Sequence, residues 1–169
     1  MPDAREVYTA HPTPAEIAEL LGQRELGALG TLNADGSIHL VYMLFLHQDG
    51  RFYLETSSVT RKARNVAARR RASLLVQGRA STGRSLMVSV EGDARLVEGP
   101  AARDVNRRLL AKYVKDEALD AVATSFGRVD DVAIEITPTR WRSWTNTKLR
   151  ELAEAEIGEG RYGEVWEDD

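Results

Sequence analysis

The chain has 169 residues, 43% of them apolar, and a formal net charge of -3, which is the size of one domain with enough apolar material for a core. It has no cysteine, so disulfides, thiolate metal sites and cysteine nucleophiles are excluded, and His11, His39 and His47 fall into no ligand spacing, so no metal centre is expected. It has no apolar run of about 18 residues, and the opening MPDAREVYTAHPTP lacks the basic-then-apolar pattern of a signal peptide, so a membrane span and secretion are not expected and the cytoplasm is the expected compartment.

Thr13-Pro14-Ala15-Glu16 is a capping box with proline at the first helical position, and Ile17, Leu20 and Leu21 give the apolar face of a helix over residues 13 to 22. GALGTL, SIHLVYMLFL and RFYLET, separated by turns at Asn33-Ala34-Asp35-Gly36 and Gln48-Asp49-Gly50, read as a three-strand meander. Thr60 can cap a second helix over residues 60 to 70, with Ala63, Val66 and Ala67 facing inward, and ASLLVQG is a strand again. SLMVSVEGDARLV alternates as a further strand. A helical insert follows at about 100 to 125, with Val105, Leu109 and Tyr113 at core spacing, and VAIEITPTRWRSW is the last strand. The sum is a six-stranded antiparallel barrel with peripheral helices. Residues 1–145 form the main domain, and 146–169 a C-terminal helix with an acidic tail, since Glu151 to Asp169 holds eight acidic residues against one arginine.

Charge is concentrated. Between Arg61 and Arg84 there are eight basic residues and no acidic one. Two readings fit, a solvated helix face or a dock for an anion. Nucleic acid fits less well, because the chain is acidic overall and the basic run has no aromatic residue to stack a base. Within the run, GRASTGRS (Gly78 to Ser85) is close to a phosphate-binding loop of the form GxxxxGK[ST], with Arg84 in place of the lysine. That loop needs a helix behind it to supply free N–H groups and a positive dipole end. A strand follows Ser85 instead, so the stretch is expected to be a hairpin loop from which Arg84 reaches an anion as one side chain only. The better anion site is TSSVTRKARN. Hydroxyls of Thr56, Ser57, Ser58 and Thr60 there meet Lys62 and Arg61 at the mouth of a helix, a donor set suited to a phosphate monoester, although a capped helix with solvated cations explains the same residues.

The succession TLNADGSIHLVYMLFL, GRFYLETSSVTRKARNVAARRRASLLVQG and SLMVSVEGDARLV resembles the pyridoxamine 5'-phosphate oxidase-like superfamily of flavin and deazaflavin oxidoreductases, over roughly residues 15 to 145. The resemblance implies a Greek-key split β-barrel that binds FMN, forms a homodimer with the cofactor at its interface, and acts on a small organic molecule. Carried over, Lys62 with Thr56, Ser57, Thr60 and Arg61 holds the cofactor phosphate, Gln77 comes near the ring, and Trp144, with Trp141, packs on the cofactor or the partner subunit. Core packing explains the two tryptophans equally. Apolar residues on both faces of SIHLVYMLFL and SLMVSV, among them Met43, Phe45, Met87 and Val88, agree with a partner covering one face. The residues by which true pyridoxamine phosphate oxidases hold substrate phosphate have no counterpart in PTRWRSWTNTKLRELAEAEIGEG, so vitamin B6 oxidation is not expected. In such proteins the cofactor carries the redox chemistry, and no catalytic side chain is assigned. The alternatives are the 8-hydroxy-5-deazaflavin coenzyme (F420) and a non-catalytic flavin or haem binder.

Overall fold

Alternating apolar runs, turn residues and helix caps produce seven strands and five α-helices among the described residues of a computed structural model, which are 10–128, 130–163 and 165. Helix α1 (Pro14–Gly22) starts at the expected capping box: the Glu16 amide donates to Thr13 Oγ1 at 3.3 Å, and the Thr13 amide donates to the Glu16 carboxylate at 2.8 Å. Strands β1 (Gly27–Leu32) and β2 (Ile38–Met43) form a hairpin whose turn places Gly36 at φ +85. Next come β3 (Leu46–Gln48), β4 (Arg51–Ser57), α2 (Arg61–Arg69), β5 (Arg71–Arg79) and β6 (Ser85–Val97). The insert gives α3 (Gly99–Tyr113) and α4 (Asp116–Gly127), and the chain continues through β7 (Asp131–Thr145) and α5 (Thr147–Ile157) to a short 3-10 turn at Arg161–Gly163. The end of the acidic tail, at 164 and 166–169, lies outside the described residues.

Every strand pairing is antiparallel, in the order β2-β1-β5-β6-β7-β4-β3. Strands β2 and β3 stand at opposite ends of that order, yet only Leu44 and Phe45 separate them in sequence. Two residues span at most about 10 Å, so the sheet has to curl until its two edges meet. This is a split barrel, closed by covalent chain rather than by a final ladder. The expected single strand SIHLVYMLFL is therefore two strands, and the sheet has seven strands rather than six. The seam is stitched by α3. The Phe45 amide donates to Tyr113 Oη at 3.2 Å, while Lys112 Nζ donates to the carbonyls of Leu21 at 2.9 Å and Phe45 at 3.3 Å. Burial brings the Lys112 ammonium down to a pKa of about 8.

The insert expected as one helical stretch breaks at Val114 and Lys115, both in extended backbone, and α4 restarts with Asp116 and Glu117 in its first turn, where the dipole favours acids. Inside the barrel Leu29, Phe45, Phe52, Leu54, Leu86 and Ile134 are fully buried. At Gly92 the β6–β7 register slips. A Cβ there would lie 2.2 Å from the Thr137 carbonyl oxygen, so only glycine lets the two backbones approach this closely. Among the described residues, no helix is long and apolar enough to cross a membrane.

Candidate functional site at the β4–α2 junction

Strand β4 alternates, with Phe52, Leu54 and Thr56 inward and Tyr53, Glu55 and Ser57 outward, and then turns into α2. Thr60 sets the helix start: its Oγ1 accepts the Ala63 amide at 3.4 Å and donates to the Ser57 carbonyl at 2.9 Å. The buried Thr56 hydroxyl lies 3.0 Å from the Thr60 hydroxyl. Ser58 is spent on Asp130, and Ser57 Oγ accepts only a long bond of 3.4 Å from the Val59 amide. The Thr56–Thr60 pair thus shapes the turn. The groups left for an outside anion are Ser57, the first amides of α2, which lack intrahelical acceptors, and the half-buried Lys62. Lys62 stands near Glu55. Burial first, and Asp131 second, push the Glu55 carboxyl up, and Lys62 opposes them.

Arg61 points elsewhere. Its charge acts on Asp35, whose carboxyl is held low chiefly by the Ser37 hydroxyl and amide, and with Arg64 and Arg69 it lines a hollow of about 500 Å³ against the β1–β2 turn. Asn65 fixes that hollow. This buried residue donates through Nδ2 to Thr31 Oγ1 at 3.1 Å and to Asn33 Oδ1 at 2.9 Å, tying α2 to β1. Sequence reading missed Asn65, because its partners are more than 30 residues away and its spacing in the helix is that of any core position.

Gln77, Arg84 and Trp144 form a second group. Gln77 pairs with Met87, which pairs with Trp144, so the three sit in one row across β5, β6 and β7. Ser57 pairs with Asp131 at the start of β7, whereas Trp144 stands next to that strand's last residue, so within one subunit the two groups lie at opposite ends of β7. GRASTGRS is the β5–β6 hairpin loop: the Ala80 amide donates to the Arg84 carbonyl at 3.0 Å and Gly83 has φ +81. Arg84 spends its guanidinium on Glu16, at 3.0 and 3.1 Å, and on Thr147 Oγ1, at 3.3 Å. It clamps α1 to the hairpin.

Trp141 packs away from this row, with ring centroids 5.5 Å from Phe52 and 5.9 Å from His47. The His47 Nε2 is buried without a partner, and burial, then Lys112, lowers its pKa. The unfolded chain, with His47 near 6.5, therefore takes up its proton first as pH falls. Stability is expected to drop as pH falls through about 6.5, and His47→Phe to flatten the melting temperature between about pH 7.5 and 5.5; a wild-type curve already flat over that range would refute the assignment.

Between the two groups the outer face of the sheet is apolar. Ile38, Leu40 and Tyr42 on β2 are 73%, 67% and 73% exposed, and Leu32 and Leu75 continue the patch. Met87 is half-buried on this outer face, whereas Phe45 and Val88 point into the core and Met43 packs against it. SIHLVYMLFL is thus apolar on both faces, as expected, but Ile38, Leu40 and Tyr42 carry the open side.

The family model described as pyridoxamine 5'-phosphate oxidase matches residues 13–145. Among solved structures, a conserved hypothetical protein from Mycobacterium tuberculosis is 32% identical with a TM-score of 0.68, the match covering 82% of this chain and 88% of that one. An F420 reductase (21% identity, TM-score 0.56, 78% and 98% covered) and the heme storage protein of Vibrio cholerae (17% identity, TM-score 0.61, 78% and 94% covered) share the fold. No curated protein matches the chain in sequence. With the match running from the α1 cap to the last residue of β7 and a split barrel beneath it, the chain belongs to the pyridoxamine 5'-phosphate oxidase family.

Proposed function

We propose that the chain is a homodimeric oxidoreductase that holds FMN by its phosphate and acts on a small organic molecule. The observation that carries this reading is the donor set at the β4–α2 junction. Lys62, Ser57 and the first amides of α2 together offer one cation, one hydroxyl and a helix N-terminus, which suits a terminal phosphate dianion. Thr56 and Thr60 hold that turn in shape, and Arg61 adds positive potential from the side. Gln77 on β5 and Trp144 on β7 share one row at the end of the sheet away from Lys62, so a twofold axis crossing the apolar outer face near the middle of β5 would bring them over the partner's Lys62 end. One cofactor then lies between two subunits, phosphate on one and ring against the other. Arg84, already paired with Glu16, supports the hairpin beside the ring rather than the phosphate.

When bound, a flavin supplies the hydride chemistry. The protein's part is to bind the phosphate, orient the ring and exclude water. A second reading, the deazaflavin coenzyme F420, is favoured by the hollow at Arg61, Arg64 and Arg69, which offers more positive charge than a single phosphate needs.

The test is titration of the purified chain with FMN, F420 and haem, followed by the flavin, deazaflavin and Soret absorption bands. FMN is expected to saturate at one per subunit. Tight haem binding with no affinity for either flavin would sink the oxidoreductase reading.

A further inference from the structure

Helix α5 meets its own subunit through its polar side. Thr147, Arg150, Glu151 and Glu154 line a hollow against the β5–β6 hairpin, where Arg84 Nε donates to Thr147 Oγ1 at 3.3 Å. At 3.6 residues per turn, Leu149, Leu152 and Glu156 fall on the opposite side of the helix. Both leucines are exposed, and no residue of α5 is buried. A surface helix ordinarily turns its apolar stripe to the core, so a stripe turned outward belongs against another surface. The stripe is also acidic: Glu156, and Glu159 just beyond the helix, are exposed and form no ion pair or hydrogen bond among the described residues. Position says which surface this is. Ser85 lines both the α5 hollow and the hollow at Gln77, and α5 starts three residues after Trp144. The helix therefore adjoins the corner of the outer face that the proposed dimer lays over the partner's Lys62 end. At that end Val59, in the β4–α2 turn, is 70% exposed. Beside it Arg61, Arg64 and Arg69 line their hollow with a single acid, Asp35, in the same wall.

We propose that α5 of each subunit packs across the twofold on the partner's β4–α2 turn, with Leu149 and Leu152 against the partner's Val59 and Glu156 toward the partner's Arg64. Apolar then meets apolar and acid meets base, and the surplus positive charge of the arginine hollow gains an occupant within the dimer. Within one subunit the two surfaces are held apart, because Ser57 pairs with the first residue of β7 and α5 follows the last. The inference rests on the dimer of the proposed function and adds a part to it: each phosphate cradle is completed by the other subunit's helix, which covers Lys62 from solvent and slows release of the anion.

The chain has no cysteine, so introduced cysteines report the contact. Leu152→Cys and Val59→Cys, each purified alone and then mixed to exchange subunits, are treated with a short bismaleimide and run on a denaturing gel. The mixture is expected to give a covalent dimer, and neither variant alone to give one. Glu151→Cys, on the hairpin side of the helix, is expected to give none when mixed with Val59→Cys. The double variant Leu149→Ser, Leu152→Ser is expected to raise the dimer dissociation constant at least about tenfold, since two copies of each leucine lose their cover. It should also release FMN faster, while the melting temperature of the dilute monomer stays that of the wild type. Light scattering on the wild type separates the two levels of the argument. A wild-type monomer at micromolar concentration overturns the dimer and this inference together. A wild-type dimer whose Leu152→Cys and Val59→Cys mixture gives no cross-link, or cross-links no better than the Glu151→Cys mixture, overturns the α5 contact alone. So does a double serine variant that dimerises normally and melts lower as a monomer, because the chain's own residues then cover the leucines.

Discussion

Lys62→Ala is expected to weaken FMN binding by roughly ten- to a hundredfold, the worth of one charge-assisted contact of about 1.5–3 kcal/mol. Lys62 lies in the first turn of α2, two residues after the Thr60 cap, where its charge, the helix's free N-terminal amides and the dipole could act on one anion. It is half-buried, so salt screens it only in part; the loss should nonetheless be greater at low ionic strength. Lys62→Arg keeps the charge and should recover much of the affinity. Arg84→Ala is the internal control. Its guanidinium already bonds Glu16 and Thr147 at the opposite end of β5, so its removal should cost about 1 kcal/mol of stability, seen as a melting temperature some 2–4 °C lower, and little cofactor affinity. Fluorescence titration of the variants decides it: if Lys62→Ala binds like wild type while Arg84→Ala loses FMN, the phosphate sits at the hairpin and the assignment is wrong.

What could be read in advance divides by the range of the interactions. The Thr13–Glu16 cap, the Thr60 cap and the turns at Gly36, Gly50 and Gly83 depend on residues within four positions, and each stands where the sequence puts it. The break between β2 and β3 does not. No glycine or proline interrupts SIHLVYMLFL, and Leu44–Phe45 bends because the barrel's two edges meet there and because Tyr113 and Lys112, more than 60 positions on, bond the Phe45 backbone. The same holds for the site. The hydroxyls and Lys62 at one junction are adjacent in sequence and so legible. Their alternation and partners are not: Asn65 with Asn33, Arg84 with Glu16 and Asn106 with Asp131 are each brought together by the sheet, from 25 to 68 positions apart. Gln77 and Trp144 share a row only through the register of β5, β6 and β7, which no local pattern specifies.

The second large effect is expected at the open face of β2. Leu40→Glu should convert a dimer into a monomer and remove most cofactor affinity with it. Leu40 is 67% exposed in the single chain, between Ile38 and Tyr42 at 73% each, so a glutamate there costs the isolated subunit little stability. In a twofold interface of about 800 Å² per partner each copy of the glutamate would be taken out of water against an apolar surface, with no cation on β2 itself to meet it. Burying such unpaired charges costs several kcal/mol, enough to raise the dissociation constant about a thousandfold or more. In the proposed dimer Gln77 and Trp144 reach the cofactor only from the partner, so a monomer would keep the Lys62 cradle and lose the ring contacts. FMN affinity should then fall further in Leu40→Glu than in Lys62→Ala. Light scattering and FMN titration on the same preparation, with circular dichroism to confirm folding, read both effects. A wild-type monomer at micromolar concentration, or a Leu40→Glu dimer that still binds FMN fully, would place the partner surface elsewhere than the β2–β1–β5 face.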